Sequence, residues 1–315
     1  MKITVIIPTY RRPQDLVRCL SALKKQNRSA DEVIAIVRDT DTATWDFLAS
    51  YDSQPLPLCT ATVTVTGVVA AMNAGLKAAQ GDIVVYTDDD SAPHSDWLEK
   101  IEPYYADEKV GGVGGRDYIY EGDILRDEGK TATTVGKLNW YGRQIGNHHI
   151  GVGEAREVDL LKGVNMSFRK VAIEQIGFDT RMKGTGAQVH FEMSSSLALK
   201  RAGWKLIYDP QIAVNHHHAN RFDEDMRGKF NYLAATNKVH NETLILLDHL
   251  TSWRKTVFLL WVLLIGTRNH RGLMQFLRFL PQEGGLAWQK FKASLDGRWQ
   301  AWQSWCRHGN QSSFL

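Results

Sequence analysis

Ile83-Val84-Val85-Tyr86-Thr87 runs without a break into Asp88-Asp89-Asp90, and this junction limits the folds open to the chain. A short run of β-branched and aromatic residues, bounded by turn formers, reads as a strand buried on both faces. Around it the pattern alternates. Ile3 to Ile7 reads as a strand closed by Pro8, and Pro13 to Lys25 as a helix with Leu16, Cys19, Leu20 and Leu23 on one face. Glu32 to Val37 is a second strand, residues 68 to 80 a small-residue helix, and Trp97 to Tyr105 another helix. Strands alternating with helices predict an α/β fold, a mostly parallel sheet flanked by helices. Such sheets take ligands beyond the carboxyl ends of their strands. Pro8-Thr9-Tyr10, Asp39 and the three aspartates all fall at such ends.

Three adjacent carboxylates repel, and each raises the pKa of the others. A divalent cation that is itself held by phosphates resolves the conflict. The bland alternative is a solvated turn, since Asp and Ser are common after strands and Pro93 follows. Asp88 and Asp90 are two residues apart, so in an extended segment they point the same way. They either share a metal or divide a metal and a ribose between them.

The 315 residues are enough for one large domain with an appendage, and 43% apolar with 23% charged residues is ordinary for a globular chain. Cys19, Cys59 and Cys306 lie far apart without metal-ligand spacing, which predicts reduced thiols in a cytosolic compartment. The opening apolar stretch is too short for a signal peptide. Gly111-Gly112-Val113-Gly114-Gly115 marks a close backbone approach and lacks the spacing of a dinucleotide fingerprint. Residues 120 to 157 are expected to hold little regular structure. Val164 to Arg169, Trp204 to Tyr208 and Ile212 to Asn215 read as strands, and Phe191 to Arg201 as a helix stopped by Gly203.

Four segments together resemble the family-2 inverting glycosyltransferases, which have the GT-A nucleotide-sugar-binding fold. Val5 to Arg12 looks like that family's first strand and nucleotide loop. Asn73 to Asp82 looks like the helix leading into its metal strand, and Thr87 to Asp90 matches the D-x-D motif. Gly163-Val164-Asn165-Met166-Ser167-Phe168-Arg169, then Gly177-Phe178-Asp179, is similar to its acceptor-side segment. The resemblance spans roughly residues 3 to 218. It implies metal-dependent sugar transfer from a nucleotide-diphosphate donor, a UDP-sugar foremost, with Mg²⁺ or Mn²⁺ and inversion at the anomeric carbon.

By that resemblance Pro8, Thr9, Tyr10, Arg12, Asp39, Asn73, Asp88 and Asp89 serve the nucleotide-sugar. Asp90 and His216 serve the metal, and Gly163 and Asn165 lie on the acceptor side. Among these, Asp39 would meet the base and Asp88 the ribose. Arg11-Arg12 also reads as a solvated pair. The general base aligns with Glu192, within the apolar run Val189-His190-Phe191-Glu192-Met193, the setting in which carboxyls become useful bases. The plain alternative is a helix-start charge favoured by the dipole. Relatives have Glu-Asp and a further Asp here, where this chain has Phe191-Glu192 and Ser194, and Met72 stands where many relatives have a basic residue. Within His216-His217-His218 the outer two share a strand face and the middle one points away. Arg221 is placed to meet a phosphate or to form a surface ion pair, and Asp223-Glu224-Asp225 is expected to cap the following helix.

Residues 1 to 222 form the expected transferase domain and 223 to 315 a helical, basic, Trp-rich region. From Thr251 to Leu315 nine Lys and Arg face two acids, and six of the ten tryptophans lie there. Val257 to Ile265 is about half of the roughly 20 residues a spanning helix needs. Trp288, Phe291, Leu295, Trp299, Trp302 and Trp305 recur at helical spacing between basic residues. Peripheral attachment to an anionic membrane, at the inner face of a cytoplasmic membrane, is the leading expectation. Packing on the body or a homodimer interface is the alternative. The expected role is synthesis of a polysaccharide, glycolipid or other cell-envelope glycan, with a glycan or lipid-linked acceptor and no nucleic acid. A catalytically degenerate membrane-bound scaffold is the second reading. A nucleotidyltransferase is the third, and Pro8 to Arg12 lacks the Gly-rich basic loop it needs.

Overall fold

The computed structural model describes residues 1–127, 129–226 and 228–308. Among the described residues twelve strands occur in chain order: β1 Ile3–Thr9, β2 Glu32–Arg38, β3 Leu58–Val63, β4 Ile83–Tyr86, β5 Ser91–Pro93, β6 Val110–Glu121, β7 Ile124–Leu125, β8 Lys137–Leu138, β9 Gln144–Ile145, β10 Arg156–Val158, β11 Met166–Arg169 and β12 Lys205–His217. The α-helices are α1 Pro13–Leu23, α2 Thr42–Ser50, α3 Val68–Ala78, α4 Trp97–Ile101, α5 Lys170–Ile173, α6 Phe191–Arg201, α7 Tyr232–His249, α8 Ser252–Leu264, α9 Leu273–Glu283 and α10 Gly285–His308.

The main sheet runs β10-β12-β6-β11-β4-β1-β2-β3. β4, β1, β2 and β3 are mutually parallel, as are β6 and β12, while β11 is antiparallel to both of its neighbours. The expected mostly parallel α/β sheet is therefore present, with β11 and β10 as antiparallel insertions. Alternation along each strand splits the core. Ile3, Val5, Ile7, Ile83 and Val85 pack towards α1 and α4, whereas Ile6, Val84 and Tyr86 pack towards α3 and α6.

β3 and α2 were not expected from sequence. β3 is an edge strand with only partly covered side chains, so its apolar signal is weak. The glycine run lies in β6, beside β12, where a Cβ on Gly115 would collide with the Ile212 carbonyl. β12 continues through Pro210 by a register shift between Asp209 and Ala213, which joins the two strands expected there.

The C-terminal helices share the core of the sheet. Leu244, Leu246, Phe258, Val262 and Ala301 belong to the same buried cluster as Tyr86 and Phe168. Helix α10 packs on α7 through small residues, and a Cβ on Gly297 would stand 2.6 Å from the Thr236 carbonyl oxygen. The tail thus uses a small-residue stripe for packing and leaves Trp288, Trp299 and Trp302 exposed. Asn231, not the acidic run at 223–225, caps α7 by accepting from the Ala234 N–H. The acidic run bonds other loops instead, so the expected cap is corrected. Among the described residues no helix is long and apolar enough to cross a membrane.

Candidate active site

The carboxyl ends of β1 and β4 open into one cleft, closed from the far side by the end of β12 and the start of α6. β12 reaches this point because its end pairs with β5, His216 opposite Ser91. The His217 N–H also donates to the Asp90 carbonyl at 2.8 Å. The strand end and the acidic turn are thereby built as one unit.

Asp88, Asp90 and His216 each offer a ligand atom, and the three atoms lie within 4.8 Å of one another. Asp88 thus joins the two residues that resemblance assigned to the metal. His216 Nε2 is 3.3 Å from Asp90 Oδ1 and its Nδ1 is 4.0 Å from Asp117 Oδ2. Burial opposes a charge on this imidazole, but Asp117 and Asp90 push it up to about 9. Burial acts against the Asp90 carboxylate too, yet His216 and the Ala219 N–H hold it well below the usual range. Two carboxylate oxygens and one imidazole, with the Asp117 carboxylate behind the ring, suit Mn²⁺ or Mg²⁺.

Asp89 turns away from this group. Its Oδ1 accepts from Arg12 Nη1 at 2.8 Å, and the side chain is 3% exposed. The expected solvated Arg11-Arg12 pair is therefore corrected for Arg12, which is held in the cleft wall. Burial, opposed by Arg12, pushes the Asp89 carboxyl up to about 7. Arg11 adopts φ 58° and its N–H donates to Asp41, which fixes the turn after β1.

Pro8, Thr9, Tyr10, Arg12, Asp88, Asp89, Asp90, Gly163, Glu192 and His216 all line the cleft. Asp39, Asn73 and Asn165 do not. Asp39 is exposed at the end of β2 and its Oδ1 accepts from the Thr40 N–H. Asn73 is bonded both ways to the Phe178 backbone. Asn165 is fully buried, accepts from Trp97 Nε1 and donates to the Arg116 and Ile212 carbonyls. The last two hold the fold together, and their polarity reflects buried bonding needs.

Glu192 starts α6, and its Oε1 is 3.6 Å from Lys162 Nζ. Lys162 escaped the sequence reading because a lysine before Gly163 has no local signature. Glu192 holds its ammonium charged against burial, aided by Asp117 and Asp88. Met72 is fully buried and cannot supply the basic group that relatives carry there; Lys162 brings a cation from the opposite wall. Tyr10 and Phe222 meet edge to face at 6.4 Å in the cleft lining. The loop bearing Phe222 is pinned by Asp223, which accepts from the Ala187 N–H, and by Glu224, which accepts from the Thr185 N–H. Arg221 lines the cleft while paired with Asp225, so both roles expected for it are open to it. His217 stacks on Tyr120 and His218 lies against His216, as the strand alternation requires.

The model of the family described as glycosyl transferase family 2 matches residues 4–176. Glycosyltransferase AglE of Haloferax volcanii is 23% identical over 268 residues, covering 83% of this chain and 80% of that protein. Glycosyltransferase YwdF of Bacillus subtilis is 34% identical over 101 residues, 32% of this chain and 37% of that one. Among solved structures, the mannosyltransferase PcManGT of Pyrobaculum calidifontis, in complex with GDP-Man and Mn²⁺, superposes with TM-score 0.56 at 18% identity, covering 99% of this chain and 76% of that one. TarS of S. aureus, in complex with UDP-GlcNAc, gives TM-score 0.58 at 15% identity, covering 98% and 92%. These neighbours share the GT-A fold.

Proposed function

The chain belongs to glycosyltransferase family 2, and from that premise we propose that it transfers a sugar from a nucleoside-diphosphate donor, a UDP-sugar foremost, to an acceptor hydroxyl with inversion. One observation carries the proposal: Asp88, Asp90 and His216 face the same cleft as Glu192, the first three as a cation seat and the last as a carboxylate base. Glu192 takes the proton of the acceptor hydroxyl as its oxygen bonds the anomeric carbon, and the bond from that carbon to the diphosphate breaks on the opposite face. The metal, when bound, offsets charge on the departing diphosphate. Lys162 lies beside Glu192, is held charged by it with help from Asp117 and Asp88, and adds positive charge near the leaving group.

The test is turnover and binding of a panel of UDP-, GDP- and dTDP-sugars with and without Mn²⁺. Metal-dependent release of nucleoside diphosphate from one of them supports the reading. No turnover and no metal-dependent binding of any donor points to the degenerate scaffold. Release of pyrophosphate from nucleoside triphosphates points to a nucleotidyltransferase.

The acceptor belongs to cell-envelope glycan synthesis, as a glycan or lipid-linked glycan, and the enzyme works at the inner membrane face. Exposed Leu264, Leu273, Met274, Leu277 and Trp288 beside exposed Arg268, Arg278 and Lys292 support attachment through α8 to α10. Because this tail shares the core, the clean test uses surface substitutions: Leu277→Glu with Trp288→Glu should release the protein from anionic vesicles in sedimentation. Continued pelleting removes the attachment idea, and a change of oligomeric state instead assigns the face to a second copy.

A further inference from the structure

The hairpin of β8 and β9 stands beside the base. Gln144 Nε2 is 3.2 Å from His190 Nδ1, and His190 precedes α6 in a left-handed conformation, φ 81°, two residues before Glu192. No residue of 137–145 lines the donor cleft. The hairpin therefore touches the chain two residues before Glu192 and lies outside the lining of the cleft.

The tip of the hairpin is fixed on α8. Arg254 donates from Nε to the Trp140 carbonyl at 2.6 Å and from Nη2 to the Asn139 carbonyl at 3.0 Å. Tyr141 packs against Trp261 at 5.2 Å, and Gly142, at φ 89°, seats on Phe258. The result is a pair of indoles, Trp140 and Trp253, with ring centroids 5.9 Å apart and planes 25° apart. They remain 58% and 60% exposed. Two large aromatic faces held in water by charge-assisted bonds gain nothing for the fold from their exposure. Their orientation is set before any ligand arrives, which lowers the entropy cost of binding.

Resting on the transferase reading above, we propose that Trp140 and Trp253 form a platform for a pyranose ring of a glycan acceptor. The apolar C–H face of a pyranose covers an indole face, and its hydroxyls need polar partners at the ring edge. Arg254 keeps Nη1 for this beyond its bonds to the two carbonyls, and Arg143, three residues from Trp140, is exposed. Trp140 is four residues from Gln144, so at most about 13 Å of chain separates the platform from the residue touching His190. A glycan lying there can present its end to Glu192. The site is also separate from the apolar tail face: Trp253 lies in the first turn of α8 and Leu264 closes it, so about 16 Å of helix lies between them.

The experiment titrates the full chain and its Trp140→Ala, Trp253→Ala and Trp140→Phe variants with tetrasaccharides of glucose, mannose and N-acetylglucosamine, read by saturation-transfer NMR. Donor hydrolysis and vesicle sedimentation are read alongside. Saturable binding of at least one tetrasaccharide is expected, weakened about tenfold in either alanine variant and kept within roughly threefold by Trp140→Phe. Donor hydrolysis and pelleting should not change in any variant. The platform is overturned if no tetrasaccharide binds the wild-type chain, or if the alanine variants bind as well as it does. Lost pelleting with unchanged glycan affinity assigns the indoles to the membrane. A wild-type chain that hydrolyses no donor sinks the transferase reading instead, which is a separate result.

Discussion

Arg12 Nη1 lies 2.8 Å from Asp89 Oδ1, and this pair takes the middle aspartate out of the cation seat that Asp88 and Asp90 form with His216. The carboxylate is almost wholly buried, so its partner cannot be removed cheaply. Arg12→Ala is expected to cost about 3 kcal/mol of stability, and the Arg12→Ala/Asp89→Asn double variant to recover most of it. Urea unfolding of the three proteins decides this. A single variant as stable as wild type would show that the ion pair does not hold the loop.

Asp90 and Asp117 stand at different removes from the proposed cation seat. Asp90 faces it directly, and Asp117 stands behind His216. Asp90→Asn should abolish metal-dependent UDP binding, while Asp117→Asn should weaken Mn²⁺ by about 10- to 100-fold without abolishing it. Calorimetric titration of Mn²⁺ in the presence of UDP separates the two. Equal effects would mean that Asp117 is itself a ligand.

Glu192 meets the cleft with Lys162 beside it. Glu192→Gln keeps the shape and removes the proton acceptor, so turnover should fall by about 10²-fold or more with donor affinity near normal. Unchanged turnover in a steady-state transfer assay would move the base to another residue.

Glu242 on α7 is 12% exposed, with His270 Nδ1 2.9 Å from its Oε2. Burial works against its charge, but His270, with His190 and Arg298, holds the carboxyl at about 2, below an ordinary 4.5. A carboxyl depressed in this way stabilises the fold above its unfolded value and loses that contribution as pH falls from about 4.5 towards 2. The full contribution is roughly 3 kcal/mol. Wild type should therefore exceed Glu242→Gln in urea stability at pH 6, and the gap should shrink by about half at pH 3. A gap that is constant over this range would refute the assignment.

Gly297 lets α10 lie close on α7, where a Cβ would stand 2.6 Å from the Thr236 carbonyl oxygen and 2.8 Å from Val239 Cβ. Gly297→Val should cost about 1–3 kcal/mol by forcing the helices apart. Its thermal midpoint should drop, and a midpoint equal to wild type would show that α10 can shift freely.

Elements with strong local signals were legible in the sequence. β1, α1, β2, α3 and β4 follow from apolar periodicity, and the cleft position of the aspartates follows from lying behind a doubly buried strand. Edge strand β3 was not legible, because half-covered side chains impose little pattern. Asn73 and Asn165 looked like ligand residues yet satisfy buried backbone groups, a need set by neighbours more than a hundred residues away in one case and by three separate segments in the other. Lys162 and Asp117 were missed since each matters only through what it faces.

The primary structure alone determined the α/β framework and the acidic turn. Both rest on residues near each other along the chain, where spacing translates directly into shared faces, whereas Glu192 was singled out by the family resemblance. Tertiary structure decided which aspartate is diverted to Arg12, which groups complete the cation seat, and which stripe of α10 packs while its tryptophans stay in water. Those outcomes depend on charges and surfaces brought together from distant segments, and their energies are set by burial and partner distance, which no local pattern encodes.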